Sequence, residues 1–397
     1  MNNKKVCMLV TEHPFLDARI FKKEAKSLVK KGYDVTMIVP RRNGYLFDVN
    51  SQPFTDKFLK QTFIHEGVII KTYDISKRTF NPLTDPLFHL GVAEEADIYH
   101  AHEFYSLHYG AEIKRFLREK KKKDVKLIYD SHEIDPDPFT TTDDIFQRKY
   151  KMLVNMLKEV NHVITVSESI KAWFLTIDPT LPVEVIYNSP PLANNFITRG
   201  KNKQKLTICH EGNVSDKTGN LTKMCKITEI CNASMNLNFK IIGGVLHGNS
   251  FTVPPTISNK VIMTGWVDYH SIPNEMADVD LGWIDRDSSK SLNFMYAMPN
   301  KFFSYLNNGI PVLVNKSSDM EYFVRTFRCG IVVNKLNATA SDYAEALLYA
   351  NSNRNKLMQM SINARKVMEE LFNWNEMEKR LFDVYESLSS TNIKYFI

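Results

Sequence analysis

Two groups of residues in this chain are of the kinds that do chemistry. In the first half, His100, His102 and Glu103 close one short apolar run (DIYHAHEF), and His132 and Glu133 close another (LIYDSHEI). If both runs are strands of one parallel sheet, these side chains stand at its carboxyl edge, where open α/β sheets bind ligands. An imidazole there can hydrogen-bond a ligand or change charge near neutral pH. In the second half, Pro299 and Lys301 open the segment MPNKFFSYLNNGIPVLV. Pro299 suits the first turn of a helix, Phe302, Phe303 and Leu306 recur at helical spacing, Gly309 supplies a left-handed stop, and Pro311 starts an apolar strand. A helix N-terminus carries unpaired N–H groups and about half a positive charge, so Lys301 beside it makes a seat for a phosphate-bearing ligand. Lys217, in the turn after Gly212, and Arg286, just after a strand end, are further cations placed to meet an anion. Asp17 and Arg19 follow the first strand, where a helix cap and a surface cation are the plain structural alternative.

The elements that must position these residues alternate short apolar strands with amphipathic helices, which predicts parallel sheets with right-handed crossovers. Strands are expected at 6–10, 34–39, 68–72, 98–100, 126–129, 162–166 and 184–186, with helices near 18–31, 106–120, 144–159 and 167–175. The second half repeats the pattern, with strands at 206–210, 239–243, 261–264, 281–284, 311–314 and 330–333. Its helices are expected near 221–233, 272–276, 299–307, 318–327, 341–349, 354–371 and 376–388. Residues 43–66 read as one long polar loop with scattered aromatics. The expected organisation is a Rossmann-like domain over 1–188, a linker over 189–204, a second Rossmann-like domain over 205–372, and a last segment, 373–397, whose helix crosses back to the first domain. Two such sheets place a ligand cleft between their carboxyl ends.

Composition agrees with a two-domain enzyme-sized protein: 397 residues, 43% hydrophobic, exceed what one core usually supports. The five cysteines are odd in number and lack C-x-x-C spacing, so neither a disulfide framework nor a zinc site of that kind is expected, and a reducing cytoplasm fits. No signal-peptide stretch and no apolar span of membrane length occurs, so a cytoplasmic protein, at most peripheral at the inner face of the plasma membrane, is expected. The net charge of +6 is concentrated at Lys114, Arg115, Arg118, Lys120, Lys121, Lys122, Lys123 and Lys126. That cluster could meet an anionic membrane surface, or simply suit a helix C-terminus. No zinc finger, RNP-like strand or helix-turn-helix spacing points to nucleic acid.

From Met8 to about Tyr385 the chain resembles the large retaining family of GT-B glycosyltransferases that includes many bacterial capsule and lipopolysaccharide enzymes. TEHPFLDARIFKKEAKSLVKKGYDVTMIV is similar to the family's first strand, acceptor-side loop and helix, and DIYHAHEF and LIYDSHEI to its two His-bearing strand ends. VITVSESI, VIYNSP, HEGNVSDKTGN, FKIIGG, VIMTGWVDYHSIPNEMADVDLGWI and MPNKFFSYLNNGIPVLV follow in the family's order. The resemblance implies a GT-B fold of two Rossmann-like domains and transfer of a sugar, with retention, from a nucleotide-diphosphate sugar to a saccharide or lipid-linked acceptor.

By the same resemblance His132 lies over the donor sugar, with His102 and Glu103 as further catalytic candidates. Gly212, Asn213, Lys217, Gly243, Arg286, Pro299, Lys301 and Ser304 contact the donor, and Asp17 and Arg19 belong to the acceptor-side loop. The family's acidic pair is replaced here by Tyr296 and Ser304, and its phosphate-loop basic residues by Asn213 and Thr218. Each lost charge-assisted contact costs on the order of 1.5 to 3 kcal/mol of binding. A catalytically weak or inactive GT-B protein that partners another transferase, and a sugar-nucleotide epimerase, are therefore the alternatives. No cofactor and no divalent metal are implied, since no Asp-x-Asp stands at a strand end; Asp135-Pro-Asp137 has that spacing but follows a histidine turn and shapes a loop.

Overall fold

The computed structural model describes residues 3–194, 196–200, 204–214, 220–245, 252–267 and 271–388. The chain divides into two compact units, the first formed by Met1–Ile186 with Met377–Ile397 and the second by Tyr187–Glu376. Each is an α/β layer structure around one sheet.

The first sheet contains β1 (Lys5–Val10), β2 (Asp34–Arg41), β3 (Thr62–His65), β4 (Val68–Asp74), β5 (Ile98–His102), β6 (Lys126–Ser131), β7 (His162–Thr165) and β8 (Val183–Val185). Their spatial order is β3-β4-β2-β1-β5-β6-β7-β8, parallel except for β3. The central strands β1, from Val6 onward, and β5 are buried along their lengths, as strands of a parallel sheet covered on both faces are. From β1 the chain first builds outward to β2 and then returns to β5 on the other side. The crevice beyond the carboxyl ends of β1 and β5 is thus the point where the strand order reverses, which is where such sheets take ligands.

The second sheet contains β9 (Leu206–Val214), β10 (Leu237–Val245), β11 (Val261–Met263), β12 (Leu281–Ile284), β13 (Val312–Asn315) and β14 (Gly330–Val333), in the order β11-β10-β9-β12-β13-β14 and parallel throughout. Its order reverses between β9 and β12. Trp283, Phe239, Leu313, Tyr343 and Leu347 are among the residues of its core.

Three features depart from the sequence reading. Residues 43–66 are not one loop, because Thr62–His65 folds back antiparallel on β4 through a turn in which Glu66 and Gly67 have φ of 46° and 83°. Two consecutive positive φ values are the type I′ geometry that a tight hairpin needs. The remaining loop is gathered by the buried Arg41, whose guanidinium donates to Thr72 Oγ1 and to the carbonyls of Gly44, Phe58 and Lys60. A helix at Pro86–Glu94 was not anticipated.

The segment read as a linker is tied into the second unit rather than free. Ala193 N donates to Asn307 Oδ1, and Arg199 donates to the carbonyls of Ala277 and Asn308 and, through its backbone N, to Ser361 Oγ. The last helix, Trp374–Ser387, passes from the second unit into the first, where Tyr385 Oη meets Nδ1 of His100 at 2.9 Å.

Candidate functional site

In the first unit the strand register assembles the histidines and carboxylates. Val10 on β1, His102 on β5 and Asp130 on β6 are neighbours across the sheet, so the segments that follow each strand emerge side by side. The helix expected from Ser106 in fact starts at Glu103, directly at the strand end. Glu103 adopts φ of 70°, a left-handed conformation that costs an L-residue of order 1 kcal/mol or more and is held only by its surroundings.

Its carboxylate meets two imidazoles: Oε1 lies 3.2 Å from Nδ1 of His132 and 3.6 Å from Nε2 of His13. His132 is gripped from its other side, with Nε2 3.2 Å from Oδ2 of Asp130. Asp17 accepts the backbone N–H groups of Arg19 and Ile20, and its Oδ2 faces His13 Nδ1 at 3.8 Å. Burial alone would lower the His13 imidazole, but Glu103 and Asp17 raise it to about 9. Glu12 is pushed up by burial and by the charge of Glu103.

Arg19 does not stand where the sequence reading put it, and His102 stands at the strand end as expected but faces inward. Arg19 is fully buried and faces the core, its Nε and Nη2 each 2.9 Å from Asp130 and its Nη1 2.8 Å from the carbonyl of Ile186. It is therefore a brace beneath the strand ends rather than an acceptor-facing cation. His102 is likewise enclosed, 3.4 Å from Asp130 Oδ2, and burial drives its imidazole down to about 4, so it is neutral and out of a ligand's reach. Asp130, His13 and Glu12 were missed. Asp130 lies inside an apolar run and reads as strand, and the signal for His13 is only its place after β1.

In the second unit the helix Asn300–Asn307 sits on the sheet through Phe302, Phe303, Tyr305 and Leu306, all fully buried. A methyl at Gly282 would lie 2.2 Å from the Tyr305 ring, so β12 takes the helix only because it carries glycine there. Pro299 is the N-cap residue, with no side-chain cap, which leaves the first N–H groups to other acceptors.

Lys301, the second residue of the helix, reaches back to β9: its Nζ is 3.3 Å from His210 Nε2 and 3.6 Å from where a Cβ on Gly212 would be. His210 Nε2 is also 3.1 Å from the carbonyl of Asn213, so it either donates there or accepts from Lys301. Burial lowers Lys301 to about 8, opposed by Glu211 and reinforced by Arg286. Ser304 hydrogen-bonds the carboxyl of Glu211, which burial raises above the usual range. Gly243 has φ of 129° and backs onto the Gly212 carbonyl, where a Cβ would come within 2.3 Å.

Arg286 stacks 5.5 Å from the Phe294 ring, and its backbone N–H donates to Asn315. Gly212, Asn213, Gly243, Arg286, Pro299, Lys301 and Ser304 thus gather around the carboxyl ends of β9 and β12, while Lys217 lies outside the described residues. His210 and Glu211 belong to this group as well. The charged Glu211 at the end of an apolar strand was the available signal.

The basic cluster is largely compensated. Lys114 donates to Glu159 O and Asn161 Oδ1, Arg115 and Arg118 pair with Glu159, Lys121 pairs with Glu95, and Lys123 approaches Asp97. Among the described residues no helix is long and apolar enough to cross a membrane.

Residues 18–192 match the family described as Glycosyltransferase Family 4, and residues 219–372 match Glucosyltransferase 3-like, C-terminal domain. No curated protein matches the chain. The structure is similar to that of Anabaena HepE in complex with UDP and glucose, with a TM-score of 0.71 at 16% identity over 97% of this chain and 100% of that one. It is also similar to sucrose-phosphate synthase from Thermosynechococcus elongatus, with a TM-score of 0.69 at 11% identity over 98% and 100%. The lipopolysaccharide outer core galactosyltransferase WaaB gives 0.62 at 11% identity over 96% and 99%. At these identities the likeness is one of fold.

Proposed function

We propose, for a chain that belongs to the GT-B glycosyltransferases as a divergent member, that it moves a hexosyl or N-acetylhexosaminyl group, with retention, from a nucleoside diphosphate to a saccharide or lipid-linked saccharide acceptor. The observation that carries this reading is the seat of Lys301, partly buried beside Gly212 at the open start of a helix. A departing diphosphate needs positive charge that is already in place when the bond breaks. Lys301, Arg286 and the helix N–H groups supply it, and the Gly212–Gly243 pair leaves the backbone bare enough for phosphate to approach. In the first unit, Asp130 holds His132 through Nε2, which keeps the ring oriented so that a sugar hydroxyl can take Nδ1 by displacing Glu103, near the charge developing at the anomeric carbon. The neighbouring folds include one solved with UDP and glucose and one named for building lipopolysaccharide, which supports a nucleotide-sugar donor and a surface-saccharide acceptor. A lipid-linked acceptor puts the enzyme at an anionic membrane face, for which the exposed Lys120, Lys121 and Lys122 are the contacts.

Calorimetry with UDP- and GDP-sugars tests the donor half directly: micromolar to submillimolar binding is expected, and none at millimolar concentration refutes it. His132→Ala should lower transfer at least tenfold with an unchanged melting temperature. A parallel loss of stability would make His132 a structural residue instead.

A further inference from the structure

We propose that Glu211, at the carboxyl end of β9, selects a ribonucleotide: with Ser304 it takes the vicinal hydroxyls of a ribose whose phosphates are held at Lys301. The assignment rests on the donor reading above. Glu211 immediately precedes Gly212, and its backbone N–H donates to Tyr305 Oη at 2.7 Å, which ties the strand end to the helix Asn300–Asn307. From the same helix Ser304 hydrogen-bonds the Glu211 carboxyl. Lys301 and Ser304 are three residues apart and share one helix face, with about 5–6 Å between their Cβ atoms. That is the order of the step from a nucleotide's 5′-phosphate to its ribose hydroxyls, so a phosphate at Lys301 brings the ribose to Ser304 and Glu211.

The carboxyl group has hydrogen-bonding capacity left over. Its Oε2 is enclosed and has no hydrogen-bond partner, and Lys301 turns Nζ to His210 Nε2 at 3.3 Å instead of to it. A carboxylate accepts at about four lone-pair sites, and a buried one left short calls for a partner. Burial raises this carboxyl, Ser304 and Lys301 draw it back, and each ligand O–H donated to it favours the anion in the same way. A vicinal diol offers two such donors side by side. Dinucleotide-binding α/β sheets likewise place an Asp or Glu on a ribose hydroxyl.

The transferred sugar carries vicinal hydroxyls too, but it must lie open to an acceptor, whereas Glu211 Oε2 is shut in. Serine stands at 304 where the family resemblance calls for an acid, and Glu211 returns a carboxylate to that place from β9. The two positions are far apart in the chain, so no local spacing announces the exchange.

Calorimetry on the full chain with UDP and GDP, and with the 2′-deoxy and 3′-deoxy form of each, tests the assignment. Loss of either hydroxyl should weaken binding at least tenfold. The nearly isosteric Glu211→Gln should bind the ribonucleotide at least tenfold more weakly, bind the deoxy forms almost as the unaltered protein does, and keep its melting temperature. Ser304→Ala should reduce the preference in the same direction by a smaller factor, and it carries the test should Glu211→Gln fail to fold. Equal affinity of the unaltered protein for ribo and deoxy forms, or an undiminished preference in the folded variants, overturns the assignment and leaves the donor reading standing. A Glu211→Gln defect seen with nucleotide sugars but not with the nucleoside diphosphates moves Glu211 to the transferred sugar and also overturns it. No binding of either nucleotide at millimolar concentration overturns both readings together.

Discussion

Glu24 and Asp130 are both fully buried and both face Arg19, yet they must carry different charges. Burial and then the charge of Asp130 push the Glu24 carboxyl well above the usual range. Burial would raise Asp130 too, but Arg19 and His132 hold it well below. Glu24 is therefore the neutral partner, and Glu24→Gln replaces one neutral group by another of the same shape, at an expected cost within about 1 kcal/mol. Asp130→Asn removes the anion that accepts Arg19 Nε and Nη2 at 2.9 Å each. Two charge-assisted bonds of about 1.5–3 kcal/mol each are lost. Part returns, because Glu24 Oε1, 3.0 Å from Arg19 Nε, can ionise in its place, so a net loss of about 3 kcal/mol is expected.

With both changes no carboxylate remains for the guanidinium. The double variant should then lose about 1 to 2 kcal/mol more than the sum of the singles. Chemical denaturation of the four proteins measures this. The pH dependence follows the same assignment. A raised Glu24 contributes stability in full below its unfolded value and loses it as pH rises through its folded value, so Glu24→Gln should flatten that decline. A depressed Asp130 contributes above its unfolded value and loses it as pH falls through its folded value, so Asp130→Asn should flatten the acid side. Equal costs for the two single variants, or an additive double variant, would refute the division of charge.

Lys301, lowered to about 8, is cationic below that pH and loses its charge above it, so affinity for UDP should fall as pH rises through 8. Lys301→Ala should bind at least tenfold more weakly with no such fall, and a flat profile for the unaltered protein would remove Lys301 from the anion seat. Gly243→Ala forces a Cβ to 2.3 Å from the Gly212 carbonyl in a conformation with φ of 129° and should cost about 3 kcal/mol or more. Gly244→Ala, whose Cβ would meet nothing closer than 3.8 Å, should be nearly neutral by the same denaturation measurement. Tyr385→Phe leaves His100 Nδ1 buried without its 2.9 Å partner and should cost about 1–3 kcal/mol, read as a lower unfolding midpoint.

What the sequence made legible was whatever repeats along the chain. Apolar runs alternating with amphipathic helices gave both parallel sheets, and Phe302, Phe303 and Leu306 at helical spacing marked a helix face that is buried in the structure. The strand Thr62–His65 escaped because its residues alternate half-buried with exposed at a sheet edge, and its cue was only the Glu66–Gly67 turn. The site was legible at strand ends, where His132, Glu103 and Gly212 could be placed by position alone.

What escaped was the sign of each residue's surroundings. Arg19 looks like a surface cation in a run of charged residues, and nothing local announces that Asp130, more than a hundred positions away, draws it inward. Once it is inside, the consequences propagate: Arg19 fixes Asp130 as an anion, Asp130 orients His132 through Nε2, and His132 turns Nδ1 toward Glu103 and His13. The chemistry at the exposed end of this chain is thus set by an ion pair at its buried end. Changes at Arg19 should therefore alter how His132 meets a ligand without Arg19 touching one.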